Sequence, residues 1–326
     1  MKKNVVLYSK IPDDQQQRLA DEFNLTVFDS SPDANKDAFI KALANADGMI
    51  GSNMASRVDD QFLVKVPKLK AASTISVGFD NYDLDALKKR GIRLMNTPTV
   101  LTEGTADLIF TLLMATARRT AELSQFIHNG KWTKSITPEY YGTDIHGKTL
   151  GILGMGRIAK AIVKRAHCGF DMNILYYNRS AHEDVEQDYQ AKRCELDDLL
   201  KQADFVVIIL PLTKETDRLI TKEKLSLMKP SAILINGARG KIVDQQALAE
   251  ALQNKVIKAA GLDVFEVEPL PMDSPLLKLN NVLLSPHVGS ATIETRYAMA
   301  KCAVDNIIAA LKDEKPTQNW VNPEVG

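Results

Sequence analysis

The chain is poor in cysteine: its 326 residues include only Cys168, Cys194 and Cys302. They are far apart, form no CxxC pair, and as an odd number cannot be fully paired. This excludes a complete disulfide framework and leads us to expect reduced thiols in a cytoplasmic protein. Net charge is also lacking, because 41 Lys and Arg balance 41 Asp and Glu. A neutral chain has no overall pull toward nucleic acid or anionic lipid, so neither is expected as a partner. Long apolar runs are missing too. The greasiest stretch, Ala106 to Ala117, contains Asp107 and falls well short of the roughly 20 residues that span a bilayer. The opening MKKNVVLYSK has two lysines before its apolar stretch, but that stretch is too short to read as a signal peptide. No internal repeat or low-complexity segment occurs. No His/Cys/Asp spacing fits a zinc site, and no metal is expected.

What is present is an ordinary hydrophobic content of 45%, with room for two domains. Short apolar runs alternate with helical patterns. The first series of expected strands is Val5–Tyr8, Leu25–Phe28, Gly48–Gly51, Ala71–Ser76 and Arg93–Asn96. This wiring is α/β with a parallel sheet, and Asn96-Thr97-Pro98 punctuates its end. A long helix is expected from about Thr102 to His128, with Thr102 as N-cap. The polar and aromatic stretch Trp132–His146 then has no clear period, which marks a functional segment or an interface. A second series follows at Thr149–Leu153, Asn173–Tyr177, Phe205–Leu210, Ala232–Asn236, Ala259–Leu262 and Val282–Leu284. Six strands make one complete dinucleotide-binding sheet. A last helix, roughly Ile293 to Leu311, has room to return to the first domain before a polar tail ending at Gly326.

The strand TLGIL runs into Gly154-Met155-Gly156-Arg157-Ile158-Ala159 and then a helix. This is G-x-G-x-x-A. The first glycine permits a tight turn, and the second lets backbone approach a pyrophosphate at the positive end of the helix. Alone the motif is weak, because glycines often mark only a turn. Its context is better, because the next strand ends at Tyr177, about 20 residues on, where a ribose-binding acid is required for NAD. The sequence there is Asn178-Arg179-Ser180, with no acid. Arg179 can pair with a 2′-phosphate and Asn178 and Ser180 can donate to it, so NADPH is expected in preference to NADH. The bland alternative is a solvated loop arginine.

Of the five histidines, His128 reads as a helix C-terminal residue and His167 as helical. His146 and His182 read as solvated loop residues. Only His287, in Leu284-Ser285-Pro286-His287, directly follows an apolar strand, and ligand sites of parallel sheets lie beyond the carboxyl ends of the strands. On position alone a structural histidine is an alternative reading. Arg239, after Ile233–Asn236 in Gly237-Ala238-Arg239-Gly240, and the acids of Asp263 to Pro269 also follow strands. Taken singly, each reads more simply as a loop charge.

Together these segments carry a resemblance. The Gly154 loop, Gly237-Ala238-Arg239-Gly240, Asp263 to Pro269 and Ser285-Pro286-His287-Val288-Gly289-Ser290-Ala291-Thr292 resemble the D-2-hydroxyacid dehydrogenases in order and spacing. The similarity covers essentially the whole chain, and it is greatest to the glyoxylate/hydroxypyruvate and 2-ketogluconate reductases. The resemblance implies two α/β domains. A Rossmann-type NADP-binding domain at 101–288, with a dimerisation arm at about 120–147, is inserted into a smaller flavodoxin-like substrate domain at 1–100 and 289–326.

The resemblance also implies roles for particular residues. Arg239, Glu268 and His287 would be the catalytic arginine, acid and proton donor. Arg239 and His287 would also touch substrate, whose carboxylate Ser76, Val77 and Gly78 would grip. Asp263 would hold the nicotinamide carboxamide side. Arg157 and Ile158 would line the pyrophosphate, and Pro211 and Thr216 a cofactor loop. Gly237, Ala238 and Gly289, together with Arg239 and His287, complete the implied cofactor contacts. Thr105 stands where the family usually has valine, and Tyr140 where relatives can have tryptophan. A homodimer reducing small 2-oxo acids is the expectation. Glu268 argues against a formate dehydrogenase, which carries glutamine there. A phosphoglycerate dehydrogenase, which often has an added regulatory domain, and a nucleotide-sensing corepressor are the alternatives.

Overall fold

The computed structural model describes residues 1–28, 36–52, 54, 57–312, 314 and 319–325. The expected polar tail falls partly outside them. The chain divides into two units, Met1–Leu101 with Ala291–Gly326, and Thr102–Ser290.

The first unit opens with β1 (Asn4–Leu7), α1 (Asp13–Glu22), β2 (Asn24–Val27), α2 (Lys36–Leu43) and β3 (Gly48–Gly51). It continues through α3 (Asp60–Leu63), β4 (Ala71–Thr74), α4 (Leu84–Lys89) and β5 (Arg93–Met95). Its parallel sheet has the order β2-β1-β3-β4-β5, the flavodoxin-like arrangement expected from sequence. The central strands β3 and β4 are buried along their whole length, which is why their sequences do not alternate with polar residues. Asp59 and Asp83 start the short helices α3 and α4 by accepting hydrogen bonds from the backbone N–H of Phe62 and Ala86.

The second unit contains α5 (Thr102–Ala117), α6 (Thr120–His128), β6 (Thr149–Leu153), α7 (Arg157–Phe170), β7 (Asn173–Tyr177) and α8 (Glu183–Tyr189). It then runs through β8 (Lys192–Arg193), α9 (Leu196–Gln202), β9 (Phe205–Ile208), α10 (Lys222–Leu227), β10 (Ile233–Asn236), α11 (Gln245–Gln253), β11 (Ala259–Leu262) and β12 (Val282–Leu284). The sheet is parallel, in the order β12-β11-β10-β9-β6-β7-β8. Winding reverses between β6 and β9, and the crevice at such a switch is where parallel sheets bind nucleotides. Alternate residues of each central strand feed opposite cores. Phe205, Val207, Ile233 and Ile235 enter the core beneath α5 and α7, while Val206, Ile208 and Leu234 enter the core beneath α9, α10 and α11.

The last helix, α12 (Ile293–Leu311), belongs to the first unit and packs on β3, β4, β5 and α1. Thr292 caps it, accepting from Thr295 N at 3.1 Å. Ser73 Oγ donates to Ala303 O at 2.9 Å, and Asn306 Nδ2 to Asn96 O at 2.9 Å. Among the described residues no helix is long and apolar enough to cross a membrane.

Three expectations need correction. The long helix expected over Thr102–His128 is broken, because Arg119 takes φ +54°, and a left-handed residue cannot continue a right-handed helix. Its guanidinium binds Glu122 at 2.8 and 2.6 Å, a tether that no glycine or proline announces. Thr102 is not the cap but the first helical residue, and its hydroxyl is buried without a partner among the described residues. The second sheet has a seventh strand, β8. Its two exposed residues, Lys192 and Arg193, carry no apolar signal.

Gly240 opens a 3-10 turn after β10. A Cβ there would lie 1.8 Å from the carbonyl carbon of Phe265 and 2.3 Å from Glu266 N. These are backbone atoms of the loop after β11 and cannot rotate aside. Gly240→Ala is therefore expected to destabilise the second unit by about 1–3 kcal/mol, measured by thermal melting. An unchanged melt would show that the two loops can separate without cost.

Candidate active site

Three strand ends of the second unit converge. Beyond β12, His287 takes φ +53°, uncommon for a side-chain-bearing residue. Asp263, 2% exposed at the end of β11, holds that turn on both sides. Its Oδ1 accepts from Ser285 Oγ at 2.6 Å and from Val288 N at 2.9 Å. The imidazole Nδ1 lies 2.7 Å from Glu268 Oε2. Glu268 Oε1 accepts from Phe265 N at 2.9 Å. Burial tends to raise the Glu268 carboxyl pKa. The bonds from His287 and Phe265 and the nearby charge of Arg239 outweigh that, and the net pKa lies below the usual carboxylate value. Glu268 is thus an ionised acceptor at neutral pH, so Nδ1 carries the hydrogen and Nε2 is left to meet a ligand.

Arg239 follows β10. Its Nη1 donates to Ala238 O at 2.8 Å, and its charge is felt at Glu268. Asn236, 1% exposed, fixes this loop. Its Nδ2 donates to Arg239 O at 3.0 Å and its Oδ1 accepts from Ala238 N at 3.1 Å. Asp263 N in turn donates to Asn236 O at 3.0 Å. Sequence reasoning missed Asn236. The signal available was a polar residue ending the apolar run Ile233-Leu234-Ile235. Gly237 lies against α5, where a Cβ would fall 1.8 Å from Ile109 Cδ1. Gly289 faces Thr105 and Asp263, and a Cβ on it would lie 3.3 Å from Thr105 Cγ2 and 3.4 Å from Asp263 Oδ2.

The dinucleotide loop lies at the switch point. Gly154 takes φ +95°, and a Cβ on it would approach Ile209 O of the β9 end to 3.0 Å. Gly156 is the N-cap of the 14-residue α7, which has no side-chain cap and no acid in its first turn. A Cβ on Gly156 would meet nothing within 4 Å. The positive end of α7 thus faces open space, a cradle that fits a pyrophosphate. Arg157 is exposed and Ile158 half-buried in that first turn. In the loop after β9, Thr216 Oγ1 donates to Pro211 O at 2.7 Å.

Beyond β7, Arg179 and Ser180 are exposed. Asn178 Nδ2 is already engaged, 3.1 Å from Ser180 O, 3.3 Å from Ser180 Oγ and 3.1 Å from His182 Nε2. His182, expected to be solvated, is instead half-buried and set edge-on to Tyr176. Arg193, on the missed strand β8, also joins this loop.

Within the first unit, Ser76, Val77 and Gly78 follow β4. Ser76 O accepts from Thr97 N at 2.9 Å, and Val77 O from Asn96 Nδ2 at 2.9 Å. In a trans peptide the N–H points opposite to the C=O. Anchoring these two oxygens turns the Val77 and Gly78 N–H groups the other way. Ser76 Oγ donates to Gly78 O at 2.6 Å, which closes the turn.

A family profile described as the NAD binding domain of the D-isomer specific 2-hydroxyacid dehydrogenases matches residues 110–289. A glyoxylate/hydroxypyruvate reductase B from Serratia proteamaculans is 53% identical over 325 residues, covering 100% of this chain and 99% of the relative. A solved protein from Thermus thermophilus superposes with a TM-score of 0.88 at 40% identity, over 98% of this chain and 99% of that one. An NADPH-dependent glyoxylate/hydroxypyruvate reductase from Sinorhizobium meliloti, solved with NADP and malonate, gives 0.86 at 31% identity over 99% and 98%. With matches of this extent, and with its two parallel sheets, the chain belongs to the D-isomer specific 2-hydroxyacid dehydrogenases, a family of NAD(P)-dependent oxidoreductases.

Proposed function

We propose that the protein reduces small 2-oxo acids such as glyoxylate, hydroxypyruvate and 2-ketogluconate to 2-hydroxy acids, with NADPH preferred over NADH, as a homodimer. The observation that carries this reading is the 2.7 Å bond between His287 Nδ1 and Glu268 Oε2, with the Arg239 charge beside it. The names of the Serratia and Sinorhizobium relatives support the substrate class.

A bound reduced nicotinamide supplies the hydride. The protein residues do the rest. The open N-terminus of α7, with Gly154, Gly156, Arg157 and Ile158, receives the pyrophosphate. Arg179 and Ser180 receive the 2′-phosphate, in a segment, Asn178-Arg179-Ser180, that itself carries no acid. Pro211, Thr216, Gly237, Ala238, Asp263 and Gly289 line the cofactor. The Val77 and Gly78 N–H groups hold the substrate carboxylate. Arg239 lends positive charge to the oxygen as negative charge grows there. His287 acts as the imidazolium, its Nδ1–H held by Glu268, and passes the Nε2 proton to that oxygen, which leaves the neutral Nδ1–H ring.

Proton donation of this kind contributes roughly 10²–10⁴-fold in rate. His287→Ala is expected to lose turnover on that scale in steady-state assays with hydroxypyruvate, while NADPH titration gives nearly the wild-type affinity. Full turnover in that variant, or binding without any turnover in the wild type, refutes the catalytic assignment.

Glu268 gives a pH prediction whose sign follows from its lowered pKa. Above that value it is a carboxylate and the pair holds. As pH falls through it, the carboxyl is protonated and the charged bond is lost. Glu268→Gln mimics the protonated form at every pH. It should lower kcat at neutral pH and displace the pH–rate profile, and an unmoved profile counts against the pairing role.

Gly156→Ala separates binding from folding, because its Cβ meets only open space. The expected result is an unchanged melting temperature with weaker NADPH binding. Undiminished binding would place the pyrophosphate elsewhere.

A further inference from the structure

Beyond the residues already assigned, the loop after β7 has a brace. Arg193, on the edge strand β8, pairs in register with Tyr176 of β7. From there its Nε donates to Asn178 O at 3.0 Å and its Nη2 to Arg179 O at 2.9 Å. One planar guanidinium thus binds two successive carbonyls. The only cis peptide among the described residues is Glu268–Pro269, so both peptide units here are trans. Their N–H ends, on Arg179 and Ser180, therefore point away from Arg193. The same two residues carry a guanidinium and a hydroxyl on exposed side chains.

We infer that Arg193 is a positioning residue for recognition of an adenosine 2′-phosphate. By holding the Asn178 and Arg179 carbonyls on its own side, it removes two partial negative charges from the phosphate side. It leaves two backbone donors there beside the side chains of Arg179 and Ser180. Successive N–H groups turned to one side form an anion-binding concavity. The two-point geometry is what a guanidinium supplies and an ammonium does not. The inference rests on the NADPH preference proposed above.

The test uses the full-length protein and two fragments of the cofactor, adenosine 2′,5′-bisphosphate and 5′-AMP, titrated by calorimetry without substrate. The wild type should favour the bisphosphate. Arg193→Ala should weaken bisphosphate binding about tenfold, the scale of one charge-assisted hydrogen bond, and leave 5′-AMP binding within about twofold. Arg193→Lys keeps the charge but not the two-carbonyl grip, and should recover little of the loss. Arg179→Ala is the reference for direct loss of a phosphate contact.

Loss in Arg179→Ala with full discrimination in Arg193→Ala overturns the inference and leaves the NADPH reading standing. Equal binding of both probes by the wild type overturns both. Full recovery in Arg193→Lys shows that charge alone acts, and overturns the positioning role. A parallel loss for both probes in Arg193→Ala shows general damage to the domain, and likewise overturns it.

Discussion

The bond between His287 and Glu268 joins loops that leave β11 and β12 separately, and the surrounding polar groups are arranged to keep its two ends in register. Glu268 is fixed by the Phe265 N–H of its own loop. His287 is fixed by a backbone conformation that costs an ordinary residue about 1–2 kcal/mol. The hydrogen bonds from Ser285 and Val288 to Asp263, each contributing about 0.5–1.5 kcal/mol, offset that cost. One further bond, from Asp263 N to Asn236 O, links this assembly to the loop of Arg239. The buried residues Asn236 and Asp263 thus set where three exposed or half-exposed side chains stand. Gly240 lets the two loops approach so closely that no side chain fits between them.

The parallel sheet explains why the chemistry collects where it does. Strands running the same way place all their outgoing loops at one end, so residues more than 40 positions apart, such as Arg239 and His287, leave neighbouring strands side by side. The same edge of the sheet carries Gly154, whose left-handed backbone brings the β6 and β9 loops together. It also carries the uncapped start of α7. Winding order, rather than any single contact, puts a phosphate cradle and an imidazole on one rim.

The two sheets were legible because they rest on pattern, whereas Arg239, Glu268 and His287 stood out together only through the family resemblance. Apolar runs located both sheets to within a residue or two. Gly154-x-Gly156 stood out because it follows a strand, opens a helix and precedes a second strand end about 20 residues on. The features that escaped were set by tertiary contacts or left no apolar signal. β8 is an exposed pair of basic residues, and nothing in Lys192-Arg193 distinguishes it from a turn. At the break, Ala117 O accepts from Thr143 N at 2.8 Å and the Arg119 guanidinium donates to Glu139 O, partners some 20 residues on that the local sequence does not announce. Asn236 and Arg193 escaped because they act on backbone groups. A side chain whose partners are main-chain groups leaves no recognisable pairing of residue types. His182 read as solvated because the sequence does not show Tyr176 beside it.

That blind spot has a chemical counterpart. In the Ser76–Gly78 turn, Thr97 N and Asn96 Nδ2 hold two successive carbonyls. In the Asn178–Ser180 turn the Arg193 guanidinium does the same. In both, anchoring the oxygens of trans peptides turns the N–H groups to the opposite face, and such a face favours anions where no acidic side chain stands on it. Substitutions at the turn residues themselves can leave this backbone surface intact, whereas losing the group behind it releases the carbonyls and changes the sign of the surface presented. On the role inferred for Arg193, the residues that decide which anion the Asn178–Ser180 turn accepts include one that never touches it.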